Sequence, residues 1–533
     1  MKDKVWLPLL VALAVVAGVV IGVYFDIPGP VGGGSNQDTR EKKLRQIINY
    51  INYEYVDDVN TDSLLDLTLA HLLRNLDPHS AYIPQENVEA TEQSIRGSFD
   101  GIGVEFKIYK DTLTIVRVLP DGPSAKAGLK GGYRILKADT NVLYGAGLGT
   151  SDVVGLLKGP GGSRVELELY DPLTNKIVKK SVKRGKVEIH SVSAYFMLSD
   201  TVGYVQLVRF SENTADEMDA AIKALKKSGA EKLVLDLRDN PGGLLTAAVS
   251  VSDQFLEDDK MVVFTISRTG ERRELLASRK GRFEKGDVAV LINEGSASAS
   301  EIVAGAIQDN DRGTIIGRRS FGKGLVQQEM ELEDGSRIRL TTQRYYTPTG
   351  RSIQKPYNEY EKDYLQRKGY SNRIPKQDSA AVSQRKFVTP GGKVVYGGGG
   401  IMPDVVVHYD TSKQASLLYH LGMVVNIDQR AFEYVDAFRK KLQYYPPALF
   451  VDSFAVDSAV LGYFFPPESA AYLNDTSVRL DLVKSRIKAF IARNLYDNAV
   501  YQQIYLKTDP FLEETLRQWG KKNPETQALR DSI

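Results

Sequence analysis

Cysteine is absent from the chain. That removes disulfides, iron–sulfur clusters and zinc–thiolate sites together, and also the lipid-bearing cysteine of a bacterial lipoprotein signal. Histidine is scarce: His71, His79, His190, His408 and His420 are scattered, and no pair has the HExxH spacing of a metalloprotease. No metal and no cofactor is expected. Excess charge is missing too, since 69 Lys and Arg face 67 Asp and Glu for a formal +2. A nucleic-acid binder carries a clear basic surplus, so no nucleic-acid partner is expected. Hydrophobic residues at 42% and charged residues at 26% match the averages of soluble globular chains. A length of 533 residues exceeds one core, and about three or four folded units are expected.

One long apolar run is present. Val5 to Phe25 is uncharged, interrupted by Pro8, and as a helix it can cross a hydrocarbon layer of roughly 30 Å. Lys2 and Lys4 precede it, which keeps the short N-terminus in the cytoplasm and puts the bulk of the chain on the other side. The competing reading is a cleavable signal, with Ala12-Leu13-Ala14 as a small-residue site. Residues 1–26 are therefore read as membrane anchor or signal, and 27–38, with PGPVGGGSN from Pro28 to Asn36, as a flexible linker.

Residues 39–96 read as helical. Leu44, Ile47, Ile48 and Ile51 form one stripe, and Leu65, Leu69, Leu72 and Leu76 continue it until Asp77-Pro78. Residues 97–185 change to short β segments with glycine-rich turns, including Thr114 to Leu119 and Val165 to Tyr170. From 186 to 410 strand and helix alternate. Val202 to Leu207, Lys232 to Leu237, Met261 to Thr265 and Val288 to Ile292 are apolar strands, with helical patterns from Asn213 to Lys227 and Leu244 to Leu256. A polar stretch at about 357–384 reads as a surface insertion. Residues 411–533 are helix-like and Tyr-rich, for packing or for docking a partner.

Three segments carry chemistry. NEGSASASEIVAGAIQD, Asn293 to Asp309, puts Ser296, Ser298 and Ser300 at a helix start, where unpaired N–H groups and the helix dipole stabilise developing negative charge. Any of the three can simply cap the helix. RSFGKGLVQ, Arg319 to Gln327, sets Lys323 between two glycines, so the chain there can approach other backbone and shut the amine away from water. Such desolvation lowers a lysine pKa toward the range where it serves as a general base. Gln327, four residues on, can orient that amine from the same face of a strand. DLRDNPGGL, Asp236 to Leu244, ends a strand in a turn whose Gly242 and Gly243 N–H groups suit an oxyanion hole, or merely a strand-to-helix connection. Gly317 to Lys323 also fits G-x-x-x-x-G-K, but Gly324 stands where a phosphate loop needs Ser or Thr, and Leu325 to Leu332 reads as a strand where a phosphate loop opens a helix.

Together, GIGV at Gly101 to Val104, DLRDNPGG at Asp236 to Gly243, GSASASEIVAGA at Gly295 to Ala306 and FGKGLVQ at Phe321 to Gln327 resemble the carboxy-terminal processing peptidases, or tail-specific proteases. YYTPTGRSIQ at Tyr345 to Gln354 and GIMPDVVV at Gly400 to Val407 extend the likeness. The resemblance implies a multidomain α+β chain: an N-terminal transmembrane helix, a helical region, a β-rich PDZ domain, an α/β protease core like that of ClpP and crotonases, and a helical C-terminal extension. It implies that Ser298 is the nucleophile, Lys323 the general base and Gln327 the amide completing a triad, with an oxyanion hole from Ala299, Gly242 and Gly243. Gly101, Ile102, Gly103 and Val104 would then hold a peptide's terminal carboxylate, supported by PSAKAGLKGG at Pro123 to Gly132. The family commonly has Asp where this chain has Tyr133. The expected function is a serine endopeptidase that cuts proteins near their C-termini after PDZ capture of an extended tail. Alternatives are a catalytically inactive PDZ scaffold that binds C-termini and an acyl-transfer enzyme acting on thioesters. The expected location is a bacterial inner membrane, single-pass with the working domains in the periplasm, or the periplasm after signal cleavage. Self-association is an open expectation.

Overall fold

The computed structural model describes residues 36–278, 281–360, 385–410, 425–465 and 479–520, and it divides into two units, Met1–Asn75 and Leu76–Ile533. The apolar run from Val5 to Phe25 and most of the insertion, 361–384, lie outside the described residues. Among those described, no single helix is long and apolar enough to cross a membrane.

The first unit holds the helices Asn36–Glu54 and Thr61–Arg74. The second of these starts on Asn60, whose Oδ1 accepts the N–H groups of Asp62 and Ser63, each at 3.1 Å. The stripe expected to bury stays largely open: Leu44, Ile47 and Leu72 are 49%, 46% and 59% exposed. Two helices alone give that face nothing to pack against.

In the second unit the short strand β1 (Ala81–Ile83) is followed by an antiparallel sheet. It comprises β2 (Val104–Tyr109), β3 (Thr112–Val118), β4 (Arg134–Ala138), β5 (Arg164–Asp171) and β6 (Lys176–Lys183), in that spatial order, with helix α1 (Thr150–Leu157) between β4 and β5 in sequence. Alternation along β5 buries Val165, Leu167 and Leu169, and Ile115, Ile135 and Tyr133 join them in one core. β2 and β6 are the two edges.

Strand and helix then alternate through β7 (Val192–Met197), β8 (Val202–Leu207), α2 (Thr214–Lys227), β9 (Lys232–Asp236), α3 (Leu245–Asp253), β10 (Met261–Ser267), β11 (Arg272–Leu276), β12 (Asp287–Ile292), α4 (Ala299–Asp309), β13 (Thr314–Gly317), β14 (Leu325–Glu331), β15 (Arg337–Tyr346) and β16 (Val405–Val406). A central sheet runs β7-β8-β9-β12-β13-β16, parallel apart from the β7–β8 pair. Its strands are near-continuous apolar runs because helices cover them from outside. A second, antiparallel sheet runs β1-β15-β10-β11, with β14 also on β15. That β14 is a strand removes the phosphate-loop reading.

Helix α4 is buried at every residue. Ile302, Val303, Ala306 and Ile307 join the main core, each larger side chain contributing roughly 1.5–3 kcal/mol by leaving water. The other face of the central sheet is closed by the C-terminal extension. Phe511, Leu512, Leu516 and Trp519 of α7 cluster with Tyr204, Val234, Leu291 and Ile316, where α5 is Ile427–Leu442, α6 is Leu480–Leu495 and α7 is Pro510–Gly520. Helices α5 and α6 share an aromatic-rich core of their own and lean on the β2–β6 sheet through Lys107–Asp428 (2.6 Å) and Arg134–Asp436 (2.6 Å).

The strands β9, β12 and β13 are parallel neighbours, so the loops leaving their carboxyl ends emerge along one edge. Those loops are DNPGG, NEGSASAS and RRSFGK, and this edge is where open α/β sheets hold ligands.

Arg351, in the YYTPTGRSIQ segment, clamps that segment to the far end of α4. Both its side chain and that of Asp309 are fully buried, 2.6 Å apart, and Arg351 also donates to Gln308 Oε1 (2.6 Å) and Tyr396 O (2.9 Å). An Arg351→Met substitution leaves a buried carboxylate without its cation, and urea denaturation is expected to show a loss of about 3–5 kcal/mol.

Candidate active site

The three serines of the SASAS run separate by environment. Ser296 is fully buried and its Oγ donates to Leu237 O (2.7 Å); Ser300 is fully buried and its Oγ donates to Asn240 O (2.9 Å). Both therefore staple the SASAS run to the DLRDNPGG segment. Ser298 alone is partly open to solvent. Its backbone has φ 55° and ψ −112°, a region that residues with a Cβ avoid and that clusters at functional sites. Such a turn between strand and helix pushes the side chain out of the chain's path, as in nucleophile elbows on other folds.

Glu301 holds this strained turn. Its carboxylate, fully buried, accepts from Ser298 N–H (2.8 Å), Gly322 N–H (2.7 Å), Lys323 N–H (2.9 Å) and Ser320 Oγ (2.5 Å). Burial pushes its pKa up, against the pull of these donors. Tyr345, also buried, points its hydroxyl at Lys323 O (2.6 Å) and Ser298 O (3.0 Å). One carboxylate and one phenol thus tie the two candidate catalytic segments together through their main chains. Sequence reading missed both. The Ser-x-x-Glu spacing of Ser298 and Glu301, a capping-box pattern, was the available signal for Glu301; nothing local marks Tyr345.

The glycines around Lys323 do what their spacing suggested. A Cβ on Gly322, whose φ is 96°, would stand 3.1 Å from Gly400 N, and one on Gly324 would stand 3.1 Å from Gln354 N. Gly324 N–H donates to Gln354 Oε1 (2.8 Å), so the YYTPTGRSIQ and GIMPDVVV segments both brace this loop. The Lys323 amine donates to Gln327 Oε1 (2.9 Å). An irregularity in the β14–β15 ladder between Val326 and Gln327 adjusts where Gln327 points. Burial holds the lysine pKa below its ordinary value, with the Arg339 charge acting in the same direction and Asp77 and Glu301 opposing.

A further wall comes from the loop after Asp77-Pro78, which sequence reading treated only as a helix stop. Gln327 Nε2 donates to His79 O (2.6 Å). Asp77 fixes that loop by accepting from His79 N–H (2.8 Å), Ser80 N–H (2.8 Å) and Ser80 Oγ (2.7 Å). Burial, aided by the Lys323 charge, pushes the His79 pKa down to about 4, leaving the imidazole neutral at ordinary pH. His79 Nε2 lies 3.2 Å from the Tyr360 hydroxyl, and the Tyr360 ring packs 5.0 Å from that of Phe321. The first residues of the expected surface insertion are therefore part of the site's wall.

At the DNPGG turn the structure revises one expectation. Gly242 N–H donates to Asn240 Oδ1 (2.9 Å), an internal partner that competes with the anion-binding role expected of it. Gly242 is required for closeness instead. With φ 99°, a Cβ there would lie 2.8 Å from Ser298 Cβ and 2.9 Å from Ala299 N.

Gly101, Ile102, Gly103 and Val104 are not part of this cluster. They turn from the strand Ser98–Gly101 into β2, with Gly103 at φ 73°. Ile102 O accepts from Ser124 N–H (2.8 Å) and Gly103 O from Leu119 N–H (3.1 Å).

The family model of peptidase family S41 matches residues 201–364. A carboxy-terminal-processing protease of Bartonella bacilliformis is 36% identical over 351 residues, 64% of this chain and 79% of that protein. The carboxy-terminal processing protease CtpA of Bacillus subtilis is 33% identical over 60% of this chain and 68% of its own length. The solved structure of a photosystem II D1 C-terminal processing protease is 28% identical and aligns over 69% of this chain and 86% of that one, with a TM-score of 0.37.

Two outcomes follow from the geometry. Tyr345→Phe removes the hydroxyl that joins the two loops while keeping the ring, and steady-state peptide hydrolysis is expected to lose about tenfold in kcat with KM little changed. A lysine amine serves as a base only when neutral, so a reaction that uses Lys323 in that role speeds up as pH rises through its pKa. Arg339→Gln removes a charge that lowers that pKa and takes from Glu329 its 2.7 Å partner, leaving it Arg337 at 3.8 Å, so the rising limb of the kcat/KM profile is expected to move to higher pH.

Proposed function

The chain belongs to peptidase family S41 and is a serine-type peptidase, and we propose that it hydrolyses proteins near their C-termini with Ser298 and Lys323 as a catalytic pair. The reading is carried by one observation: the Ser298 and Lys323 main chains share the Glu301 carboxylate and the Tyr345 hydroxyl. Beside them a desolvated Lys323 amine is held on Gln327.

In this mechanism neutral Lys323 removes the Ser298 proton as Oγ attacks the scissile carbonyl carbon. The carbonyl oxygen becomes an anion held by the N–H groups of Gly243 and Ala299, close to the start of α4. Lys323 gives the proton to the departing amine, leaving an acyl-enzyme. Water then attacks the ester, losing its proton to Lys323, and as the second tetrahedral intermediate expels Ser298 Oγ the amine returns that proton to it, so the acid product leaves and the resting pair is restored. Gln327 positions the amine through its carbonyl oxygen and is itself fixed by His79 O.

The β2–β6 domain serves as a PDZ tail reader. The substrate's terminal carboxylate sits at the Gly101–Val104 turn, and its last residues add a strand to the open edge of β2. The relatives' names describe C-terminal processing, which agrees with a tail-first mode of capture. The uncharged run after Lys2 and Lys4 supports a location in a bacterial inner membrane with the catalytic unit in the periplasm, or free in the periplasm after cleavage of that run.

The decisive comparison is digestion of one reporter with a free apolar tail and the same reporter with that tail amidated. Wild type is expected to cut the free-tailed reporter faster, and Ser298→Ala to lose about a thousandfold or more on both. Equal turnover by wild type and Ser298→Ala leaves only a binding protein.

A further inference from the structure

β2 is an edge strand, and its open side faces a groove of about 670 Å³. The near wall consists of residues 104–108 with Thr150 and Val154 of α1. The far wall is not part of the β-rich domain. Asn426 and Gln429, at the start of α5, and Arg493 and Asn494 of α6 close it. A tail strand pairing antiparallel with β2, its carboxylate at the Gly101–Val104 turn, directs its earlier residues toward Ile108. Along the roughly 13 Å from Val104 to Ile108 it passes between the two walls.

Four charged groups line the groove, Glu105, Lys107, Asp428 and Arg493, and they are not equally paired. Lys107 is paired with Asp428 at 2.6 Å, and Asn494 Nδ2 donates to the other Asp428 oxygen at 3.3 Å. Glu105 is paired with Arg117. Arg493 is exposed, stands 5.8 Å from the Tyr501 ring, and has no carboxylate within ion-pair distance among the described residues. The remaining groove-lining groups from the extension are amides, which accept or donate as needed. With Lys107 on Asp428 and Arg117 on Glu105, the lining cation that holds no ion pair of its own is Arg493, on the wall that the extension supplies, and its charge also reaches Asp428 and helps lower that carboxyl's pKa.

We propose that the C-terminal extension completes the tail groove, and that Arg493 selects substrates carrying an aspartate or glutamate a few residues before the terminal carboxylate. The inference rests on the tail-reading role given above to the β2 edge and adds a second determinant to it. Without the extension that edge would read only the carboxylate and the apolar side chains near it. With it, Asn426, Gln429, Arg493 and Asn494 take part in choosing substrates as well as in packing.

The test uses the full chain with Ser298→Ala, so that bound peptides stay intact, and fluorescence anisotropy with labelled peptides that share one apolar terminus and differ by Glu, Gln or Lys at a single upstream position. The Glu peptide is expected to bind up to about fivefold more tightly than the Gln peptide. Arg493→Gln should erase that difference, and Arg493→Glu should turn the preference toward Lys. If free-tailed peptides bind but Glu, Gln and Lys are equivalent with Arg493 and with its variants, the extension has no part in selection and the inference falls, while tail capture stands. If amidated and free-tailed peptides bind alike, or none binds, tail capture itself fails and takes the inference with it. If Arg493 variants change sedimentation without changing peptide affinity, the groove holds a second copy of the chain, and the inference is overturned.

Discussion

Everything at the candidate site depends on one buried carboxylate. Glu301 carries a charge into a place without water, which is costly unless every lone pair is met. Here four donors meet it, and three are main-chain N–H groups from the two loops that must be brought together. The arrangement works in both directions. The loops satisfy the carboxylate, and the carboxylate keeps Ser298 in a backbone conformation that it would not hold alone. Because Glu301 sits in the first turn of a helix buried on all sides, its own position is set by the main core. Rigidity passes from the sheet to α4, from α4 to Glu301, and from Glu301 to both loops.

Much of this was legible in the sequence where the physics is local. Apolar runs marked β8, β9 and β12 because strands covered on both faces have no polar side to show. The glycines beside Lys323 indicated a close backbone approach, and Gly400 and Gln354 are the groups approached. The choice among Ser296, Ser298 and Ser300 was not legible in composition. It turns on which hydroxyls find carbonyls in the DLRDNPGG segment, and that depends on how β9 and β12 lie side by side.

The contributions that escaped sequence reading are the distant ones. His79 reaches Gln327 across 248 positions, and Tyr360 reaches His79 across 281. Neither lies in a periodic pattern, and each is one residue of a loop whose placement comes from packing elsewhere. The apolar stripe of the first unit is the opposite case, since Leu44 and Ile47 repeat at helical spacing yet stay exposed. Periodicity reports that a face exists, and only a neighbour decides whether it is covered.

The ion pair between Arg238 and Asp509 spans 271 positions and anchors α7 across the second face of the central sheet. During synthesis that face stays wet until residue 509 and the helix after it have left the ribosome, so the sheet that aligns the reactive loops is completed late. A contact between residues this far apart therefore also sets how late the reactive loops can be brought into line.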